Sequence, residues 1–243
     1  MKSKRNKDGL KRSRSRSRSR SNSLSRSPEK SQFKRGNLLG KGEYGMVHQD
    51  ATNPNNVIKT VLFTERYDQE TEKKITSKEL QNLFIKEGKI QEELGNYNIA
   101  PKIYYYGIID DMGEKKGIII MEKMAEIYRS KYPDVGDDPD VTKSPKLPPA
   151  KIQQKVIDKI IEMINKGYIH NDLHGGNIGF LNNDEVRLFD FGFSRSISPL
   201  CLPCNKDQLL GFSLYQLIEH LPFDLRNKSV YYDTIYNIRQ NLY

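Results

Sequence analysis

The chain has 243 residues, of which 36% are hydrophobic and 29% charged, and its formal net charge is +9. No apolar run approaches the ~20 residues of a membrane-spanning helix, and the N-terminus lacks the apolar core of a secretory signal. Two cysteines argue against a disulfide framework and suit a reducing compartment.

The length allows one large domain or two intimate lobes. Mean hydropathy is low, at −0.74, but the deficit is concentrated at one end. Residues 1–35 carry 14 Lys/Arg and two Asp/Glu, a balance of +12, which leaves the rest of the chain at −3. The basic character therefore belongs to a tail, and the body shows no general nucleic-acid-binding surface.

Residues 1–32 are of low complexity, with five Arg-Ser dipeptides in a row from Arg12 to Ser21. Such a segment buries too little apolar surface to offset its ordering entropy, so the sequence predicts a disordered tail. It suits nucleic acid or acidic proteins as partners through counterion release. It is similar to the Arg-Ser segments of splicing-type proteins, which are phosphorylation substrates, so autophosphorylation is a further expectation. A solubilising or localisation segment is the plain alternative.

Leu38 to Val47 contains Gly40-Lys41-Gly42-Glu43-Tyr44-Gly45-Met46-Val47 between two strand-like segments. Glycines there let a hairpin close tightly and let backbone N–H groups approach phosphate oxygens. An ordinary glycine hairpin reads the same way. Thr52 to Asn56 is a turn, and Val57-Ile58-Lys59 a third strand, whose lysine either reaches nucleotide phosphates or is simply solvated. Residues 65–95 show helical periodicity, with Leu83, Ile90 and Leu94 on one side and Glu87 in register. Glu87 is thus expected to face inward and pair with Lys59, while Glu79, Glu92 and Glu93 face solvent.

Two strands rich in β-branched and aromatic residues follow, Ala100 to Ile109 and Gly117 to Met121, joined by a polar turn. Glu122-Lys123-Met124 leaves this small sheet, where backbone groups of Glu122 and Met124 are placed to pair with a nucleotide base. Residues 130–149 read as a loop. Ala150 to Lys166 is an amphipathic helix whose apolar face is Ile152, Val156, Ile160, Ile161 and Ile164, ended by Gly167.

The polar run His170-Asn171-Asp172, with Asn177 five residues after Asp172, then lies between apolar segments. Two short strands, Ile178 to Leu181 and Val186 to Phe189, lead to Asp190-Phe191-Gly192. A carboxylate, an amide and a second carboxylate at this spacing converge if the two strands form a hairpin. Phosphoryl transfer needs such a point, with a base near the acceptor hydroxyl and oxygen ligands for Mg²⁺. Cys201-Leu202-Pro203-Cys204, without a second pair, is a weak zinc signal. Asp207 to Leu221 is a second apolar helix, and residues 222–243 are Tyr-rich.

Across roughly residues 33–220 these elements, in this order, resemble the eukaryotic-type protein kinase superfamily. The resemblance implies an α+β, two-lobed protein-kinase-like fold: a small antiparallel sheet lobe at 33–122 and a shortened helical lobe at 123–243. It implies ATP contacts from Leu39, Gly40, Lys41, Gly42, Glu43, Tyr44, Gly45, Val47, Lys59, Glu87, Glu122 and Met124. Asp172 takes or orients the acceptor hydroxyl proton, and Asn177 and Asp190 hold Mg²⁺. His170 is structural, and Asp207 matches the helix aspartate that ties down the catalytic loop.

The chain departs from that pattern in several places. Asn171 stands where an arginine is usual, which argues against control by an activation-loop phosphate, and His174 stands where Ser/Thr kinases have a lysine. The run His174-Gly175-Gly176-Asn177 looks more like RIO-type, aminoglycoside, choline and lipopolysaccharide-sugar kinases. No Ala-Pro-Glu follows, and only 53 residues come after Asp190, so most of the peptide-docking half is expected to be missing. The reduced form is similar to compact atypical kinases and to small Ser/Thr kinases of large DNA viruses. The resulting expectation is an ATP- and Mg²⁺-dependent Ser/Thr protein kinase, inside the cell in cytoplasm or nucleus, or in a virion or host cell, with no membrane association. A small-molecule kinase and a nucleotide-binding pseudokinase are the alternatives.

Overall fold

A computed structural model describes residues 33–42, 45–67, 72–132 and 148–197, together with Leu209 and Ser213. The Arg-Ser tail, Glu43, Tyr44, Cys201, Cys204, Asp207 and the Tyr-rich end lie outside the described residues. So does the predicted helix at 207–221, apart from helical Leu209 and Ser213.

In chain order the strands and helices are β1 (Arg35–Lys41), β2 (Gly45–Asp50), β3 (Asn56–Leu62), β4 (Arg66–Tyr67), β5 (Lys74–Ile75) and α1 (Ser77–Gly95). Then follow β6 (Ile103–Asp111), β7 (Glu114–Glu122), β8 (Glu126–Ile127), α2 (Tyr128–Lys131) and α3 (Ala150–Asn165). The last are β9 (Tyr168–Ile169), a single 3-10 turn (Gly175–Asn177), β10 (Ile178–Phe180), β11 (Val186–Leu188) and β12 (Arg195–Ser196). The small lobe is a five-stranded antiparallel sheet in the order β1-β2-β3-β7-β6. This is the α+β architecture expected, with a small antiparallel sheet carrying one long helix.

Side chains alternate across a strand, and β3 uses both faces. Val57, with Ile119, Met121 and Ile103, packs under Leu80 and Phe84 of α1. Ile58, with Ile118 and Ile120, forms a separate cluster on the opposite face. Lys59 shares parity with Val57 and half-buried Val61, so it is delivered to the helix-bearing face. On α1 the buried residues Leu80, Phe84, Glu87, Gln91 and Leu94 recur at helical spacing and form one stripe.

The helix departs from the sequence expectation in two ways. It begins at Ser77 rather than near residue 65, because Thr76 and Glu79 close a reciprocal capping box. The Glu79 carboxylate accepts from the Thr76 backbone N–H at 2.8 Å, and the Thr76 hydroxyl accepts from the Glu79 N–H at 3.3 Å. Each bond satisfies a donor that the first turn leaves orphaned. The preceding charged residues instead include the β4–β5 hairpin. Leu83, expected on the inner face, is 44% exposed, because the stripe is centred on Phe84.

Gly88 illustrates how packing overrides propensity. Alanine is the better helix former by up to about 1 kcal/mol. A Cβ on Gly88 would, however, run into the Tyr106 ring, with Cγ only 2.8 Å away. Gly88→Ala is therefore expected to destabilise the protein by about 1–2 kcal/mol, net of the propensity gain. Urea unfolding of the variant checks this, and a stabilised variant would refute it.

The second lobe is built on α3. Ile152, Val156, Ile160 and Ile164 are buried as expected, together with Ile157 and Met163, while Ile161 is only partly buried. This core takes in Ile90 and Leu94 of α1, Leu173, the β10–β11 hairpin and Phe191. The lobes therefore share apolar packing at the C-terminal half of α1. Gly167, at φ +84°, follows α3, and the catalytic-loop candidates come directly after β9.

Candidate active site

Gly40 lies in β1 and Gly45 opens β2, and the Gly42 N–H donates to the Gly45 carbonyl at 2.9 Å. Gly45 is required by close approach, since a Cβ there would collide with the Thr60 carbonyl oxygen on the neighbouring strand. Leu39 and Lys41 are exposed near the tip of this hairpin, and Val47 is half-buried on β2. Glu122 ends β7 and Met124 follows it. Chain-to-chain bonds fix this crossing between lobes: Glu122 N–H to the Lys102 carbonyl, Lys123 N–H to Asn55, and Ala125 N–H to Phe180.

Lys59 joins three distant pieces of chain. Its Nζ donates to Glu87 Oε1 at 2.8 Å and to Asp190 Oδ1 at 2.9 Å. The Lys59 and Glu87 side chains are 18% and 9% exposed, while that of Asp190 is 49% exposed. Burial by itself would lower the lysine's pKa, but the two carboxylates outweigh it and raise it. Burial holds Glu87 above the ordinary carboxylate range, against the pull of Lys59 and with a push from Asp190. For Asp190 burial acts upward too, but Lys59 more than compensates and the carboxyl is lowered. Lys59 and Asp190 are thus a charged pair at neutral pH.

Asp172 and Asn177 lie on the loop between β9 and β10. Asn177 is buried, and its Nδ2 donates to the Asp172 carbonyl at 2.9 Å and to Asp172 Oδ2 at 3.2 Å. The hairpin predicted to bring Asn177 beside Asp190 is β10–β11, and the Phe189 N–H donates to the Asn177 carbonyl at 3.0 Å. Asp190 itself is left-handed, at φ +64°, a conformation that Asp and Asn tolerate better than most residues.

Sequence reasoning passed over His174 as a site residue. Its Nδ1 accepts the Gly176 N–H at 3.0 Å, which leaves the proton on Nε2, 3.8 Å from Asp172 Oδ2. The signals in the sequence are its position two residues after Asp172 and the run His174-Gly175-Gly176-Asn177.

His170 is fully buried, and its Nε2 donates to the Phe189 carbonyl at 3.0 Å. Its ring packs on Phe191, with centroids 5.0 Å apart. Burial pushes its pKa down to about 4, against the opposing pull of that carbonyl and of Asp172 and Asp190. A neutral, enclosed ring suits the structural role expected of it. The unfolded chain takes up this proton near the ordinary histidine value of about 6.5. Between that value and about 4 the unfolded state binds more protons, so stability falls as pH falls, by about 3 kcal/mol across the window. His170→Gln keeps a donor for Phe189, so its unfolding free energy is expected to show a shallower acid dependence than wild type between pH ~7 and ~4. Parallel slopes would refute this.

Mg²⁺ prefers hard oxygen ligands and commonly takes only one or two from protein, the rest coming from water and phosphate. Among the described residues no group of three or more His, Cys, Asp or Glu is placed to hold a metal alone. The donor set that is present fits that lighter demand. The Asn177 amide nitrogen is engaged with Asp172, which leaves its oxygen as the atom that would serve as a ligand, and the Asp190 carboxylate is half-exposed with Oδ1 on Lys59.

Comparison with known proteins gives the chain's family. Residues 56–201, more than half of the chain, match the model of the ABC1 atypical kinase-like domain. The chain is also similar to mitogen-activated protein kinase kinase kinase 3 of Homo sapiens and of Mus musculus. Each is 26% identical over 176 residues, covering 70% of this chain and 25% of the relative. The chain thus matches about a quarter of the length of these curated relatives.

Proposed function

This chain belongs to the ABC1 atypical kinase-like family, and from that premise we propose that it transfers the γ-phosphate of ATP to Ser or Thr hydroxyls of proteins. The observation that carries the reading is the Lys59 bridge. One ammonium on β3 is held by Glu87 of α1 and by Asp190, next to a loop that presents a third carboxylate, Asp172. Such a cluster concentrates fixed charge where phosphate oxygens and a reacting hydroxyl must meet.

In this reading the glycine turn covers the phosphates, and Glu122 and Met124 offer backbone groups to the base. Lys59 binds phosphate oxygens, with Glu87 setting its position. Asp172, oriented through Oδ2 by Asn177, accepts the hydroxyl proton as the acceptor oxygen bonds to the γ-phosphorus and the bond to the ADP oxygen breaks. Asn177 and Asp190 are the residues that would hold Mg²⁺, which neutralises charge developing on the phosphates when bound.

A protein acceptor is supported by the likeness to chains named as protein kinases, and by the serines of the Arg-Ser tail as a candidate substrate on the same chain. A small-molecule acceptor is the second reading, favoured by His174 standing beside Asp172. The test is Mg²⁺-dependent transfer from radiolabelled ATP to the chain itself, to an added basic protein, and to a panel of aminoglycosides and sugars, with phosphosites read by mass spectrometry. Phosphoserine or phosphothreonine on protein is the expected result. Turnover confined to a small molecule would move the assignment to the second reading. ATP binding with no transfer would reduce the chain to a binding module.

A further inference from the structure

Asn171 is unused by the mechanism above, yet it is the immediate neighbour of Asp172 and departs from the usual sequence pattern. Its backbone is left-handed, at φ +63°, where a side chain other than glycine is strained and Asn is the most readily tolerated of the exceptions. That turn places its short amide against the strand of chain that follows Asp190-Phe191-Gly192. Nδ2 donates to the Phe193 carbonyl at 3.2 Å.

The contact ends a continuous seam. The Ile197 N–H donates to the Gly167 carbonyl at 2.7 Å. β12 pairs with β9 through Arg195 opposite Ile169 and Ser196 opposite Tyr168. Buried Ser194 donates its hydroxyl to the His170 carbonyl at 3.1 Å, and its N–H to the Phe191 carbonyl at 3.0 Å. Residues 167 to 171 are thus stitched in antiparallel order to residues 197 to 193. Asn171 supplies the stitch nearest the two carboxylates.

We propose that Asn171 is a positioning residue that clamps the segment after Asp190-Phe191-Gly192 and so fixes the distance between Asp172 and Asp190. This rests on the phosphoryl-transfer reading. The clamp acts through one hydrogen bond and one backbone conformation, which two substitutions separate. Asn171→Gly keeps the left-handed turn available and removes the donor. Asn171→Asp also tolerates the turn but sets a carboxylate against the Phe193 carbonyl.

The experiment is hydrogen exchange of residues 193–197, followed by steady-state kinetics on the same full-length preparations. In Asn171→Gly the amides of Ser194 and Ile197 are expected to exchange about three- to tenfold faster, as the loss of one ordinary hydrogen bond implies. The kcat should fall about ten- to a hundredfold, the scale of a small misplacement of reacting groups, with KM for ATP changed less than about twofold. Asn171→Asp should lose at least as much. Unchanged exchange would overturn the clamp. Faster exchange with an unchanged kcat would overturn the positioning role, and so would a loss confined to KM. If the wild type binds ATP but transfers nothing, the catalytic claim falls with the parent reading, while the exchange data still report separately whether the seam depends on Asn171.

Discussion

Asp172→Asn should lower the rate of phosphoryl transfer by about 10²–10⁴-fold, the range general-base catalysis contributes, with little change in stability or ATP affinity. The reason lies in the Asn177 contact. Asn177 Nδ2 donates to Asp172 Oδ2 at 3.2 Å and to the Asp172 carbonyl at 2.9 Å. An asparagine at 172 can turn its own amide oxygen toward that donor, so the local geometry survives. What disappears is the negative charge and the ability to take a proton. Asp172 is also not a partner of Lys59, so the lysine proposed to bind phosphate oxygens keeps both its carboxylate partners. Single-turnover rates, nucleotide affinity and melting temperature, measured together, separate these effects. A variant transferring phosphate within about threefold of wild type would remove Asp172 as the base, since a neutral amide cannot replace it.

Lys59→Met carries the largest stability effect. The methionine keeps much of the apolar stem but removes the cation between two carboxylates. Glu87, with a side chain 9% exposed, is then a buried charge without its partner. Removing one member of such a pair costs about 3–5 kcal/mol, a large share of the ~5–15 kcal/mol that stabilises a typical domain.

The sign of its pH dependence follows from Glu87. Burial already holds this carboxyl above its ordinary value, and loss of Lys59 raises it further. The folded state then binds more protons than the unfolded state in the window between the two values, so stability rises as pH falls. Lys59→Met should therefore be most damaged at neutral and alkaline pH and recover relative to wild type in mild acid. The double variant Lys59→Met/Glu87→Leu should regain much of the lost stability, because an apolar pair replaces the orphaned charge. It should not regain transfer. Urea unfolding across pH, with activity measured alongside, checks both arms. A double variant as unstable as the single one would show that the cost lies in packing rather than charge.

Much of this arrangement is legible in the chain itself. Helical spacing turned Glu87 inward toward Lys59, although the strand sequence by itself left open whether Lys59 is solvated. The short strands Ile178 to Leu181 and Val186 to Phe189 announced the hairpin that brings Asn177 toward Asp190. These are short-range consequences of backbone periodicity, and periodicity is written in the order of residues. The start of α1 was readable as well, in Thr76-Ser77-Lys78-Glu79. The charged residues before it carry the same apparent period and mask that start.

What the sequence alone determined is therefore the order of the elements, which face each carries inward, and the chemical types available at the site. The tertiary structure alone decided the pairings that depend on where distant segments meet. Lys59 bonds to Asp190 as well as to Glu87, His174 stands beside Asp172, Asn171 reaches Phe193, and Gly88 yields to the Tyr106 ring. Leu83 faces solvent although its spacing allows the core. Each outcome depends on distances of a few tenths of an ångström between surfaces remote in sequence. Close packing and hydrogen-bond geometry fix such distances, and no local pattern of residues encodes them.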